Sequence, residues 1–268
     1  MIVDSGRLFT GQRRGEILRL VRQRGTVSVS ELAELFHVSG TTIRLDLSFL
    51  EKSGGITRTH GGAMLNELSF HEPLISERIH EREKAEIALR ALEHIENNDV
   101  LLLDTGTTMV ALARALILSP FTKLTVYSND LDVLRILEEK ENWDLFLLGG
   151  KVRNGFHYAC SPRTVQDLEN LHFRKAFIAT SAISYHAGLT ISNPDLALLK
   201  SAMIACSETV CLLADSSKLH RVDFQKFAGF DDIDILITDS GITHQDLAAL
   251  RERVKTVEVA EYGPGAAE

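Results

Sequence analysis

The sequence predicts two domains, a small α+β domain followed by a larger α/β domain with a mostly parallel sheet. Three observations predict this. Residues 28 to 62 carry two short helical patterns, a tight turn between them and a basic strand-like run after them. From Ile79 onward, short apolar runs alternate with helical patterns, as strands and crossover helices do. The 268 residues are 44% hydrophobic, enough for one small core and one of ordinary size.

Arg13 to Arg24 reads as an amphipathic helix through Ile17, Leu18 and Val21. Ser28 with Glu31 three positions on forms a capping box for a second helix, whose apolar face is Leu32, Leu35 and Phe36, with Glu31 and Glu34 on the polar side. His37-Val38-Ser39-Gly40 interrupts the pattern, and Ser39 caps a third helix buried through Ile43, Leu47 and Leu50. Its opposite face carries Thr41, Thr42 and Arg44. Ile56-Thr57-Arg58-Thr59-His60 then alternates like a strand, and Gly61-Gly62 turns it, placing Arg58 and His60 on a wing.

This is the layout of a winged helix-turn-helix over residues 11–66, and it points to duplex DNA. A helix entering the major groove needs short hydrogen-bonding side chains near its start and a longer fork to reach guanine or phosphate. Ser39, Gly40, Thr41, Thr42 and Arg44 meet that need, with Arg58 and His60 on the wing. The plainer alternative is a small helical bundle with solvated Thr and Arg. Charge distribution favours DNA: the chain carries -8 overall, yet residues 1–64 hold nine Lys or Arg against six Asp or Glu, a net of +3.

Residues 67–78 read as a linker, because Leu65 to Pro73 mixes polar residues with a proline and lacks periodicity. Within 79–260, the strand-like runs are Val100-Leu103, Leu124-Tyr127, Leu145-Leu148, Ala176-Ala179, Val210-Leu213 and Ile233-Thr238. Each is separated from the next by enough chain for a crossover helix. Ligands of such sheets bind beyond the carboxyl ends of the strands.

Those ends hold small polar residues. Asp104-Thr105-Gly106-Thr107-Thr108 follows the first run and precedes a helical stretch from Met109 to Leu116. Gly106 permits close backbone approach, and Thr107 or Thr108 caps a helix whose free amides favour an anion such as a phosphate monoester. The spacing is neither that of a P-loop nor that of a GxGxxG loop, and taken alone the segment also reads as an ordinary capped helix start. Ser128-Asn129 follows the second run, Gly149-Gly150-Lys151 the third and Asp215-Ser216-Ser217-Lys218 the fifth. Converging on one rim, they would form a pocket for a phosphorylated, hydroxyl-rich molecule. For Lys151 and Lys218 singly, a solvated surface lysine is the alternative.

Cys160, Cys206 and Cys211 make no complete set of pairs. Neither they nor His157, His172, His186 and His220 fall at metal-ligand spacing, so no metal, cofactor or disulfide framework is expected. Trp143 reads as packing at a strand start. The first residues lack the apolar core of a secretory signal and no apolar run reaches membrane length, so a reducing cytoplasm is the expected setting.

The run VSVSELAELFHVSGTTIRLDLSFLEKSG, with THGGA after it, resembles the DNA-binding domain of the DeoR family of bacterial sugar-metabolism regulators. LLLDTGTT, YSND, LLGGKVR, HFRKAFIAT, GLTISN and LLADSSK resemble that family's effector-sensing domain, which belongs with ribose-5-phosphate isomerase-like folds. The resemblance implies a sequence-specific DNA-binding repressor of a carbohydrate-metabolism operon, relieved by a phosphorylated sugar and assembled as a homo-oligomer through residues 79–260. It implies effector contacts at Asp104, Thr105, Gly106, Thr107, Thr108, Asn129, Gly149, Gly150, Lys151, Asp215, Ser216, Ser217 and Lys218. Two departures stand out: Leu45 replaces a second basic residue after Arg44, and Ser181-Ala182-Ile183-Ser184 replaces a motif ending in Asp. Loss of that acid argues against isomerase chemistry, although Asp104 and Asp215 remain as candidate bases. The rival readings are a sugar-phosphate isomerase with an appended DNA-binding head, and a DNA-binding scaffold with a vestigial pocket.

Overall fold

The computed structural model describes residues 10–24, 26–52, 56–59, 61–65 and 80–261. The chain divides into two compact units, residues 1–71 and 72–268. The expected linker, 67–78, and His60 lie outside the described residues.

In the first unit, α1 (Thr10–Arg24), α2 (Val29–Leu35) and α3 (Gly40–Lys52) pack against β1 (Thr26–Ser28), β2 (Ile56–Thr59) and β3 (Gly62–Leu65). The strands form an antiparallel sheet in the order β1-β3-β2, with β2 and β3 as the wing hairpin. Ser28 Oγ accepts from the Glu31 amide at 3.2 Å and Ser39 Oγ from the Thr42 amide at 3.1 Å, so both helix starts are fixed where the hydroxyls stand. His37, at φ 51°, takes the left-handed conformation that ends α2 and aims the chain into α3. Ile17, Val21, Leu32, Ile43, Leu47, Leu50 and Ile56 fill the core. Leu35 does not join them and is 51% exposed. The buried face of α2 is centred on Leu32 with Val29, Ala33 and Phe36 at its edges, which turns Leu35 outward. A side chain on Gly62 would meet the Val27 carbonyl oxygen at 1.9 Å, so only glycine lets β3 lie this close to β1.

One buried ion cluster joins α1 to α3. Asp46 is 1% exposed; its two carboxylate oxygens accept from Arg13 Nε at 2.6 Å and Arg14 Nε at 2.8 Å. The Arg14 guanidinium also lies 3.9 Å from the centre of the Phe49 ring. These contacts hold the rotation of α3 about its axis, and so decide which of its residues face solvent.

The second unit is built on a seven-stranded sheet, in which all paired neighbours are parallel. Its strands are β4 (Val100–Leu103), β5 (Thr125–Ser128), β6 (Asp144–Leu147), β9 (Phe173–Ala179), β12 (Ser207–Leu213), β14 (Ile235–Asp239) and β15 (Thr256–Ala260). In space they run β15-β14-β12-β9-β4-β5-β6. The central strands read as continuous apolar runs because both faces are covered. On one face Leu101, Leu103, Phe177 and Cys211 meet α4 (Glu81–Ala91), α5 (Thr107–Ile117) and α6 (Leu131–Leu137). On the other, Leu102, Ala176, Ile178 and Leu212 meet α7 (Pro162–Leu168), α8 (Pro194–Ala205) and α9 (His244–Arg251).

Four details differ from the sequence expectations. β9 and β12 begin three residues early, because Lys175 enters the sheet by pairing with buried Asp99 at 2.7 Å. A further strand, β15, closes one edge of the sheet, where Thr256-Val257-Glu258-Val259 alternates polar and apolar residues in place of the continuous apolar run of the central strands. The connection from β12 to β14 carries no α-helix; it passes through a short 3-10 turn (Ser216–Lys218) and β13 (Gln225–Ala228). β13 pairs with β11 (Gly188–Ile191), which pairs with β10 (Ala182–Ser184), in a small antiparallel sheet. Lastly, neither Thr107 nor Thr108 caps α5: the residue before it is Gly106, at φ 119°, with no side-chain cap.

The ion cluster yields a stability prediction. Asp46→Ala removes the buried carboxylate that Arg13 and Arg14 share and should destabilise the first unit by about 3 to 5 kcal/mol. Thermal melts of the full chain followed by circular dichroism should show an early transition with helix loss, and a wild-type melt would mean that the cluster contributes nothing.

Candidate functional site

α3 presents a solvent face that carries Thr41 and Arg44 together with the exposed Leu45 and Phe49. Thr41 and Arg44 are exposed and Thr42 is half-buried, while Ile43, Asp46, Leu47 and Leu50 point inward. Ser39 is occupied as the cap and also shares a hydrogen bond with Thr42 Oγ1 at 2.9 Å. Gly40 opens the helix beside Val29, whose Cγ1 would lie 3.4 Å from an added side chain. Arg58 is exposed on β2, but its guanidinium lies 4.0 Å from Glu51 and its amide donates to the same carboxylate at 3.0 Å. The wing cation is therefore partly neutralised.

The second site is set by topology. From β4 the chain builds outward through β5 and β6 on one side and through β9, β12, β14 and β15 on the other. The sheet thus reverses direction between β4 and β9, and beyond their carboxyl ends is where sheets of this kind hold ligands. Asp104 lies there with no exposure. Its Oδ2 accepts from the Ala179 amide of β9 at 2.9 Å and from Lys200 Nζ of α8, in a buried ion pair. Lys200 also donates to the Ala179 carbonyl at 3.0 Å.

Neighbouring strand ends are laced together in the same way. Asp130, which starts α6, accepts on one oxygen from Thr105 Oγ1 at 2.6 Å and the Gly106 amide at 3.0 Å. Its other oxygen accepts from the amides of Asp132 and Val133. Burial still pushes the Asp130 carboxyl above its ordinary range, against those donors. Asn129 Nδ2 donates to the Ala159 carbonyl of β8 (Tyr158–Cys160) at 3.1 Å. Three oxygens at this rim are buried without a hydrogen-bond partner among the described residues: Asp104 Oδ1, Asn129 Oδ1 and Asp215 Oδ2. Each is an acceptor, suited to hydroxyl donors.

Gly149 and Gly150 are exposed after β6, and Lys151 opens the hairpin strand β7 (Lys151–Arg153). At φ 148°, Gly150 would bring a side chain to 2.8 Å from the Cys160 backbone, so glycine seats this hairpin. On the far side, Ser217 bonds Asp215, Ser216 bonds Asp239 and Lys218 Nζ lies 3.7 Å from Asp215 Oδ2. The two lysines bracket the rim instead of converging. Four interstrand spacings, about 19 Å, separate the ends of β6 and β12.

Two lysines that sequence reasoning passed over are central. Lys200 is 1% exposed and lies in register with Leu196, Leu199 and Met203; Lys84, at 4%, lies in register with Ile87, Ala88 and Ala91. Lys84 and Thr107 line a groove of about 520 Å³ along α4, α5 and α6, together with Arg114, Arg135 and the acids Glu81, Asp132 and Glu139. The groove reaches the rim at Thr107. Burial pushes the Cys160 thiol up to about 11 and Cys211 up to about 12, which leaves them inert as nucleophiles.

A family model described as the DeoR-like helix-turn-helix domain matches residues 13–68, and one described as the DeoR C terminal sensor domain matches residues 79–240. The chain belongs to the DeoR family. The lactose phosphotransferase system repressor of Streptococcus mutans is 36% identical to it over 85% of this chain and 91% of that protein. The HTH-type transcriptional regulator YulB of Bacillus subtilis is 34% identical over 92% of this chain and 95% of its own. Ribose 5 phosphate isomerase A from Neisseria gonorrhoeae is a distant structural neighbour, with a TM-score of 0.39 and 16% identity over 53% of this chain and 54% of that one.

In this DeoR-family chain, Ser184 does not stand in for the acid it replaces. Its hydroxyl oxygen accepts from the amides of His186 and Ala187 and shapes the β10–β11 turn.

The Asp104–Lys200 pair can be tested by stability. Lys200→Met should cost about 3 to 5 kcal/mol, because it strands a buried carboxylate, and adding Asp104→Leu should restore most of that. Urea unfolding measures both, and equal losses in the single and double variants would mean that the two charges are not coupled.

Proposed function

We propose that this DeoR-family regulator represses a carbohydrate operon and releases its DNA when a phosphorylated sugar occupies the rim of the parallel sheet. One observation carries the reading: Asp104 Oδ1 and Asn129 Oδ1, with Asp215 Oδ2 beside Lys218, are buried without a hydrogen-bond partner among the described residues, at a rim where α5 begins with no side-chain cap. A sugar supplies the hydroxyls and a phosphate suits the helix start, with Lys84 on the groove side and Lys218 on the β12 side. The repressor of the lactose phosphotransferase system among its relatives supports a sugar-linked role. Thr41, Thr42 and Arg44 form the DNA-reading face, and a homodimer presents two such faces to a two-fold operator.

Binding fits the rim better than isomerisation does. Both carboxylates offered as bases are engaged, Asp104 by Lys200 and Asp215 by Ser217 and Lys218.

The test uses a duplex that the full-length protein selects from a random pool, with hexose and pentose phosphates screened by thermal shift. A sugar phosphate that raises the melting temperature should release the duplex, whereas its free sugar should not. Lys218→Ala should keep DNA affinity and need about ten-fold more sugar phosphate for release. Arg44→Ala should keep the thermal shift and lose about 1 to 3 kcal/mol of binding per half-site. Failure of every sugar phosphate to shift the melt would favour a vestigial sensor.

A further inference from the structure

We propose that Leu45 is a specificity-determining residue that reads the C5-methyl group of a thymine in the operator. The proposal deepens the DNA-binding reading and rests on it.

Leu45 is 65% exposed, in a helix whose other large aliphatic side chains, Ile43, Leu47 and Leu50, are each at most 1% exposed. It lies outside the core cluster of the first unit. Successive residues of a helix are turned by about 100°, which places Thr41, Leu45 and Phe49 in one row and Arg44 and Ser48 beside it. Leu45 therefore stands in the middle of the solvent face. Of its neighbours in the row, Thr41 is polar, and Phe49, 49% exposed, is covered on one side by the Arg14 guanidinium at 3.9 Å. The Asp46 cluster holds the adjacent residue fixed, so Leu45 cannot roll into the core without breaking both ion pairs of Asp46.

With α3 in the major groove, this side chain meets base edges. Those edges carry donors and acceptors at every pair, but a single kind of apolar group, the thymine methyl. A leucine beside Thr41 and Arg44 adds affinity where such a methyl meets it. Cytosine or guanine opposite Leu45 would instead lose water from a polar edge with nothing in return.

The experiment enriches random duplexes on full-length wild type, Leu45→Ala and Leu45→Met in parallel. Wild type and Leu45→Met should fix a thymine at a position that Leu45→Ala leaves relaxed. Replacing that thymine by uracil removes the methyl alone, and should weaken wild type about four-fold per half-site while leaving Leu45→Ala unchanged. A circular dichroism melt of Leu45→Ala matching wild type separates loss of the contact from loss of the fold. If uracil at every thymine of the enriched site costs wild type and Leu45→Ala equally, Leu45 reads no methyl and the DNA-binding reading still stands. If wild type enriches no sequence, both fall together.

Discussion

The buried pair of Asp104 and Lys200 is the constraint around which the second unit is arranged. It ties the end of β4, the end of β9 and the middle of α8 at the place where the sheet reverses direction. Two opposite charges at 0% and 1% exposure survive there because each satisfies the other, and because the Ala179 amide and carbonyl take up further valences. The arrangement leaves Asp104 Oδ1 buried without a hydrogen-bond partner among the described residues. Asp130 repeats the device one strand further on, linking the loop after β4 to the start of α6.

The first unit depends on an analogous cluster with a different consequence. Asp46 receives two arginines from α1, and the face of α3 that points to solvent follows from that registration. Thr41, Arg44 and Leu45 are presented together because Asp46 and Leu47 are anchored. In both units, buried charge fixes the geometry of the neighbouring elements.

Much of this was legible in the sequence, for physical reasons that can be named. Ser28 and Ser39 announced their helices because a hydroxyl at the cap position satisfies a free amide, and the apolar runs of the parallel sheet announced themselves because both faces are buried. Lys200 and Lys84 were missed because lysine is read as a surface residue. Their signal was present all the same: each occupies a helical position in register with a buried stripe, where an unpaired charge could not remain. Asp130 reads in the sequence as an ordinary helix cap, because its bonds to Thr105 and Gly106 cross from another strand end. The spread of Lys151 and Lys218 across four strand spacings could not be read at all, since strand order is not written in local periodicity.

The proposed function reduces to coupling between sugar binding and DNA binding, which is a difference in affinity between two states and is reciprocal by linkage. The most direct measurement is a calorimetric titration of the thermal-shift-positive sugar phosphate into the free protein and into the protein saturated with its selected duplex. The account predicts weaker binding to the complex, by the same factor, on the order of 5 to 150, by which saturating sugar phosphate weakens the duplex. Equal affinity in both titrations would contradict it, leaving a chain that binds sugar phosphate and DNA without connecting them.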